Sequence, residues 1–116
     1  MSEIQSREAR LAQWCLESLV DGGTTLQRFP IVNVPFRIGR IAGLDLTLPF
    51  QSVSKRHAEI YCEGEELMLR DLESTNGTFV NRKRVKGASL HEGDILHFAE
   101  FEFRVGRQAS ELALID

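Results

Sequence analysis

Residues 71–81 read DLESTNGTFVN. The stretch joins the apolar run ELMLRDL to the shorter run TFV, so it reads as strand, turn, strand. An Asn-Gly pair alone would suffice to turn a hairpin. Here Ser74, Thr75, Asn76 and Thr78 crowd the same tip. That is more hydroxyl and amide capacity than a turn consumes, which predicts that part of the loop faces a ligand.

Outward from this tip, short apolar runs recur along the chain: WCLESLV, LQRFPIV, PFRIG, DLTL, HAEIYC, DILHF and EFEFRV. Several alternate with period two. In ELMLR, Leu67 and Leu69 share one face, with Met68 and Arg70 on the other. In EFEFRV, Phe101, Phe103 and Val105 oppose Glu100, Glu102 and Arg104. Such alternation marks half-buried strands. The separators DGG, GLD, EGE, STNG, NRK and EGD are turn formers. Many short strands at this spacing, with no long amphipathic helix, predict an all-β sandwich of two sheets. Loops of a sandwich gather at its ends, so a binding site is expected there.

The chain has 116 residues, enough for one domain. Hydrophobic residues are 42% and charged residues 27%, a composition that supports a packed core. A net charge of -3 gives no basis for general nucleic-acid or membrane-surface binding, so any anion site must be local. No apolar run approaches the ~20 residues that span a bilayer. Cys15 and Cys62 lie in strand-like runs, and MSEIQSREAR lacks an apolar signal core. These features predict free, packed thiols and a cytoplasmic setting. Residues 1–11 read as a polar tail that frays or forms a short helix, 12–108 as the folded domain, and 109–116 as a second tail.

Three polar knots stand out. Gly39-Arg40 ends the run PFRIG, the glycine predicting a bend that lets the next side chain leave the sheet end. SVSKRHAEI, residues 52–60, places Ser54 and Lys55 ahead of a strand in which Ala58, Ile60 and Cys62 share a face. The third is the loop with Thr75, Asn76 and Gly77. Arg40 offers a planar fork of donors, Lys55 an ammonium, Ser54 and Thr75 hydroxyls, and Asn76 an amide. Nearly every group donates, and two are cationic. That inventory suits an oxyanion, phosphate above all. Singly, a GR, an SxxH or an NGT is a weak signal; their order and spacing together are much stronger.

FRIGR, then SVSKRHAEI, then DLESTNGTFVN resembles the forkhead-associated (FHA) domain family over about residues 13 to 106. The stretch LHEGDILHFAEFEF resembles the family's closing hairpin. The resemblance implies a sandwich of about eleven strands that binds phosphothreonine peptides through loops at one end. By position it implies that Arg40 and Ser54 contact phosphate, that Thr75 lies beside it, and that Asn76 bonds the peptide backbone. Lys55 stands where the family often has Arg and sometimes Asn, keeping charge without bidentate geometry. His57 matches a histidine that braces the loops, and Gly77 the turn glycine. Arg82 departs from the family, which often has Gly after the asparagine matched by Asn81. Residue preference beyond the phosphate is expected from Ile41–Gly43, Gln51 and the basic run RKRVK at 82–86, which otherwise reads as a solvated edge strand. Arg56 reads as solvated, and Ser74 as tightening its own loop.

Taken alone, Ser54 and His57 suggest a nucleophile and its base, but no third orienting group or GxSxG elbow accompanies them, so no enzyme is expected. His57, His91 and His97 with the two cysteines match no zinc spacing, and no cofactor is implied. The reading is therefore a phosphothreonine-peptide recognition module whose partner is a Ser/Thr-phosphorylated protein. It is expected to be part of a larger multidomain signalling regulator, of bacterial character in VPFRIGR and LTLPFQSVSKRHAEI. The rival is an interaction or dimerisation domain that does not use phosphate.

Overall fold

The alternation seen in the sequence becomes pleat. In the computed structural model, residues 14–20 and 25–107 are described, and they form eleven strands and no helix. The strands are β1 (Trp14–Val20), β2 (Thr25–Pro30), β3 (Phe36–Gly39), β4 (Leu46–Thr47), β5 (Ala58–Glu63), β6 (Glu66–Asp71), β7 (Thr78–Val80), β8 (Lys83–Arg84), β9 (Gly87–Ser89), β10 (Ile95–Phe98) and β11 (Phe101–Arg107). They build a six-stranded sheet, β2-β1-β11-β10-β7-β8, and a five-stranded sheet, β4-β3-β5-β6-β9. Among the described residues, only β3 and β4 pair in parallel. The expected all-β sandwich of about eleven strands is the observed architecture.

One apolar cluster lies between the layers. Leu16, Leu96, Phe98, Phe103 and Val105 come from the six-stranded sheet, and Ile38, Ala58, Ile60, Leu67 and Leu69 from the other. Alternation is clearest in β6, where Leu67 and Leu69 are buried while Met68 is half-buried and Arg70 exposed. Ile31, Val53 and Leu90, from the connections, close the ends of the core. Cys15 is buried, Cys62 packs at the edge of the cluster, and both are free thiols. The tails 1–11 and 109–116, and the domain limits 12 and 108, lie outside the described residues.

Two turns differ from the simplest sequence reading. The loop in DLESTNGTFVN does not close a hairpin, because β6 belongs to one sheet and β7 to the other. It carries the chain across the end of the sandwich. Its Asn-Gly pair has positive φ at Gly77 (97°) but not at Asn76, whereas a hairpin turn of type I′ needs both. That geometry occurs five residues later. Val80 pairs with Lys83, and Asn81 and Arg82 between them have φ of 51° and 72°. Asn81 is held there by its own side chain, which donates to Asp94 Oδ1 at 3.0 Å and accepts from Ile95 N at 3.0 Å. β9 falls in none of the apolar runs, since three residues are too few to show alternation.

Candidate functional site

The site is built around a buried imidazole. His57 immediately precedes β5, and its side chain is fully buried with its ring edge-on to Phe98. The Ser54 backbone N–H donates to Nδ1 at 3.1 Å, and Nε2 lies 2.8 Å from the Gly77 carbonyl. An N–H can only donate and a carbonyl can only accept. The ring is therefore the neutral tautomer with its proton on Nε2. Its backbone adds a bond from His57 N to Ile38 O and one from Leu72 N to His57 O, both 2.9 Å. One residue thus ties together β3, the 52–56 loop and the 72–77 loop. Neither ring nitrogen is left for the Ser54 hydroxyl, so the pair has no nucleophile–base geometry.

Gly39 fixes the second join. Its φ is not positive, and although the chain bends at Arg40 as the sequence suggests, the glycine also answers a steric demand. A Cβ at this position would overlap the Lys55 carbonyl oxygen and press on Leu44. The missing side chain lets the 52–56 backbone lie directly on the end of β3. Arg40 N donates there to Ser54 O at 3.0 Å and Lys55 O at 3.1 Å. The Arg40 side chain turns the same way, its Nε donating to Val53 O at 2.9 Å. That bond anchors the guanidinium and leaves its two terminal nitrogens without a protein partner among the described residues.

The 72–77 loop braces itself. The Asp71 carboxylate accepts from Ser74 N at 3.2 Å, from the Ser74 hydroxyl and from Thr78 Oγ1 at 2.7 Å. Ser74 Oγ in turn accepts from Gly77 N at 3.1 Å. Burial pushes the Asp71 carboxyl up; the hydrogen bonds from Ser74 and Thr78 outweigh it and hold the group below its ordinary range. Thr75 N then donates to Ser54 Oγ at 3.0 Å, and Asn76 Nδ2 to Ser52 O at 2.7 Å. These two bonds stitch the crossing loop to the 52–56 loop.

The joined loops enclose an open cleft of about 460 Å³, lined by Arg40, Thr75, Asn76 and the segment 51–56. All five residues expected to contact a ligand, Arg40, Ser54, Lys55, Thr75 and Asn76, are in this lining. Gly39, His57 and Gly77 stand behind it. Ser54 Oγ has accepted from Thr75, so its proton is available to an incoming acceptor. Asn76 has committed one N–H and keeps its oxygen and second N–H. Lys55 and Arg56 are exposed and make no ion pair among the described residues. The lining contains three cations and no carboxylate. A doubly charged oxyanion would meet donors on every rim and no opposing charge.

Sequence reasoning missed two parts. Asp71 and Thr78 shape the loop from behind, and Ser52 contributes a carbonyl that positions Asn76. The Asp-x-x-Ser spacing of 71 and 74 was a usable signal, since a carboxylate commonly bonds the backbone and hydroxyl three residues on.

The family model of the FHA domain matches residues 36–99, a span that contains every residue of the cleft. Glycogen accumulation regulator GarA of Mycolicibacterium smegmatis is 43% identical over 74 residues, covering 64% of this chain and 47% of that protein. Transcriptional regulatory protein EmbR of Mycobacterium tuberculosis is 34% identical over 76 residues, 65% of this chain and 20% of its own length. The chain therefore spans a fifth to about half of these relatives. A structure of EmbR in complex with a low-affinity phosphopeptide superimposes with TM-score 0.73 and 28% identity, over 84% of this chain and 25% of that one. A structure from a study of phosphothreonine-dependent FHA domain interactions gives TM-score 0.68 and 32% identity, over 84% of this chain and 99% of the other.

Proposed function

The chain belongs to the FHA domain family, and on that premise we propose that it is a non-enzymatic, phosphothreonine-dependent peptide recognition module of protein signalling. The observation that carries the reading is the cleft itself: donors from three separate segments converge on one volume free of carboxylates. In this reading the terminal nitrogens of Arg40, the Ser54 hydroxyl and the Lys55 ammonium replace the water around the phosphate. Thr75 lies at its side, and the uncommitted part of the Asn76 amide bonds the peptide backbone.

Magnitudes agree with that assignment. A phosphothreonine carries roughly -1.5 to -2 charges at neutral pH. Each charge-assisted hydrogen bond contributes about 1.5–3 kcal/mol net. Three or four of them, less the cost of association, give a Kd near micromolar, about -8 kcal/mol. The partner would be a protein phosphorylated on threonine, and the setting a cytoplasmic regulator with further domains. The phosphopeptide bound by the EmbR structure supports this partner class by family likeness.

Calorimetric titration with matched phosphorylated and unphosphorylated threonine peptides tests the reading. Phosphorylated peptide alone should bind, and Arg40→Ala should abolish measurable heat while the fold is retained. Equal binding of both peptides would establish the rival, a phosphate-independent interaction domain.

A further inference from the structure

Charge is sorted unevenly over the described surface. On the strands away from the cleft several arginines are engaged: Arg28 and Arg104 share the Glu17 carboxylate, and Arg70 holds Glu59 at 2.6 Å. Arg82, Lys83, Arg84 and Lys86 are exposed, and none of their side chains has a hydrogen bond, ion pair or ring contact among the described residues. In a chain of net charge -3 this is a local departure from the average. Glu73 and Glu100, the exposed carboxylates of the neighbouring loops, bridge to none of the four.

The backbone supplies a second observation. Arg82 occupies a turn position with φ 72°, the conformation in which a glycine would be relaxed. Strain of this kind in an L-residue points to a use for its side chain. Placement supplies the third. Val85 N donates to Thr78 O and Asp71 N to Lys86 O, both at 2.9 Å, so the basic segment runs along the outside of the 71–78 crossing. A Cβ on Gly77 would come within 2.9 Å of Arg84 Nε, so that guanidinium abuts the residue that follows Asn76. Arg84 therefore lies against the residue next to the cleft's lining. β8 is also the outermost strand of its sheet, so a segment leaving the cleft past Gly77 meets an open edge.

We propose that the β7–β8 turn and β8 form a second anion subsite, which takes acidic side chains flanking the phosphothreonine in the same bound segment. This deepens the phosphopeptide reading and rests on it. Charge complementarity selects the occupant: four cations without partners favour carboxylates on an extended segment whose phosphate is already seated. The ligand class is therefore a phosphothreonine peptide with an acidic run on one side.

The test uses synthetic phosphothreonine peptides in pairs, three Asp and Glu residues against their Asn and Gln isosteres, placed before or after the phosphothreonine. Fluorescence anisotropy reads the affinities. On the wild type, the acidic run on one side should tighten binding about tenfold at ~0.1 M salt, the combined effect of three solvated ion pairs. At ~1 M salt that gain should vanish while the requirement for phosphate persists. In the variant R82Q/K83Q/R84Q/K86Q the gain should fall below about twofold, with the amide-flanked phosphopeptide changed less than about threefold. The single substitution Arg84→Gln, which leaves the turn untouched, should give a smaller loss in the same direction.

A gain that survives the fourfold neutralisation overturns the subsite, as does the absence of any gain on the wild type. So does binding of duplex DNA or anionic vesicles that is lost in the variant while flanking acids have no effect. If phosphorylated peptides bind no better than unphosphorylated ones, the recognition module itself fails, a result distinct from loss of the flank effect alone.

Discussion

His57 offers the sharpest test of how the cleft is held. His57→Leu keeps a buried side chain of similar bulk and removes both ring hydrogen bonds. The two partners do not lose equally. Gly77 O still accepts from Ala99 N at 3.0 Å, so it forfeits one of two bonds. Ser54 N has no other acceptor and is orphaned in a partly buried position. An orphaned donor costs about 1–3 kcal/mol and a lost neutral hydrogen bond about 0.5–1.5 kcal/mol. The sum expected for His57→Leu is therefore about 1.5–4.5 kcal/mol. For a domain of this size that lowers Tm by roughly 6–25 °C. His57→Ala adds a cavity beside Phe98 and should cost about 1–2 kcal/mol more. Urea unfolding followed by tryptophan fluorescence and far-UV circular dichroism measures both variants, with equal m-values as the check that the unfolded state is unchanged. Phosphopeptide affinity should fall in His57→Leu as well, since Ser54 and Gly77 lose their common brace. A Leu variant within about 0.5 kcal/mol of wild type would refute the claim that this ring joins the loops.

Gly39→Ala should cost about 1–3 kcal/mol, because the new methyl and the Lys55 carbonyl cannot share the same space; it should also weaken phosphopeptide binding, and a neutral result in both titration and melting would mean that the two backbones need not touch. Arg82→Gly should stabilise by roughly 0.5–1 kcal/mol, the relief of the left-handed conformation less the entropy that glycine adds to the unfolded chain; a loss of stability in urea would show that the turn is unstrained. The acid limb of stability follows from Asp71 and Glu17. Glu17 is held below the usual range by the Arg104 hydrogen bond, against burial and with help from Arg28. Both folded pKa values are lowered from reference values of 3.8 and 4.5, so the stabilisation is present above about pH 4.5 and is lost as pH falls through the folded values. Unfolding titrations from pH 6 to pH 2 should show this decline, and the paired substitutions Asp71→Asn and Glu17→Gln should flatten it; an unchanged slope would remove both groups as its source.

The faces of the strands were legible in the sequence because the pleat has a period of two and one side of each sheet is buried. ELMLRDL and EFEFRV therefore placed Leu67, Leu69, Phe103 and Val105 in the core correctly. Alternation says which way a side chain points and nothing about which strand lies beside it. For that reason the passage from β6 to β7 reads locally as a hairpin although it changes sheets. The same limit applies at the cleft. Arg40, Ser54 and Asn76 were legible as donors by residue type, but their partners are decided by closure of the fold. Asn76 gives one N–H to Ser52 O, and Ser54 Oγ accepts from Thr75 N, contacts spanning 24 and 21 residues that no local pattern encodes. Asp71 was harder to read, for the converse reason. At the end of an apolar run it looks like a strand terminus, and it becomes a brace only when Ser74 and Thr78 fold back on it. Gly39 shows the difference most directly. A glycine before an arginine suggests a bend, and the chain does bend at Arg40, but what requires glycine is the absent methyl under the Lys55 carbonyl. The binding groups thus announce themselves by chemistry, whereas the residues that aim them are defined by approach distances between segments remote in sequence.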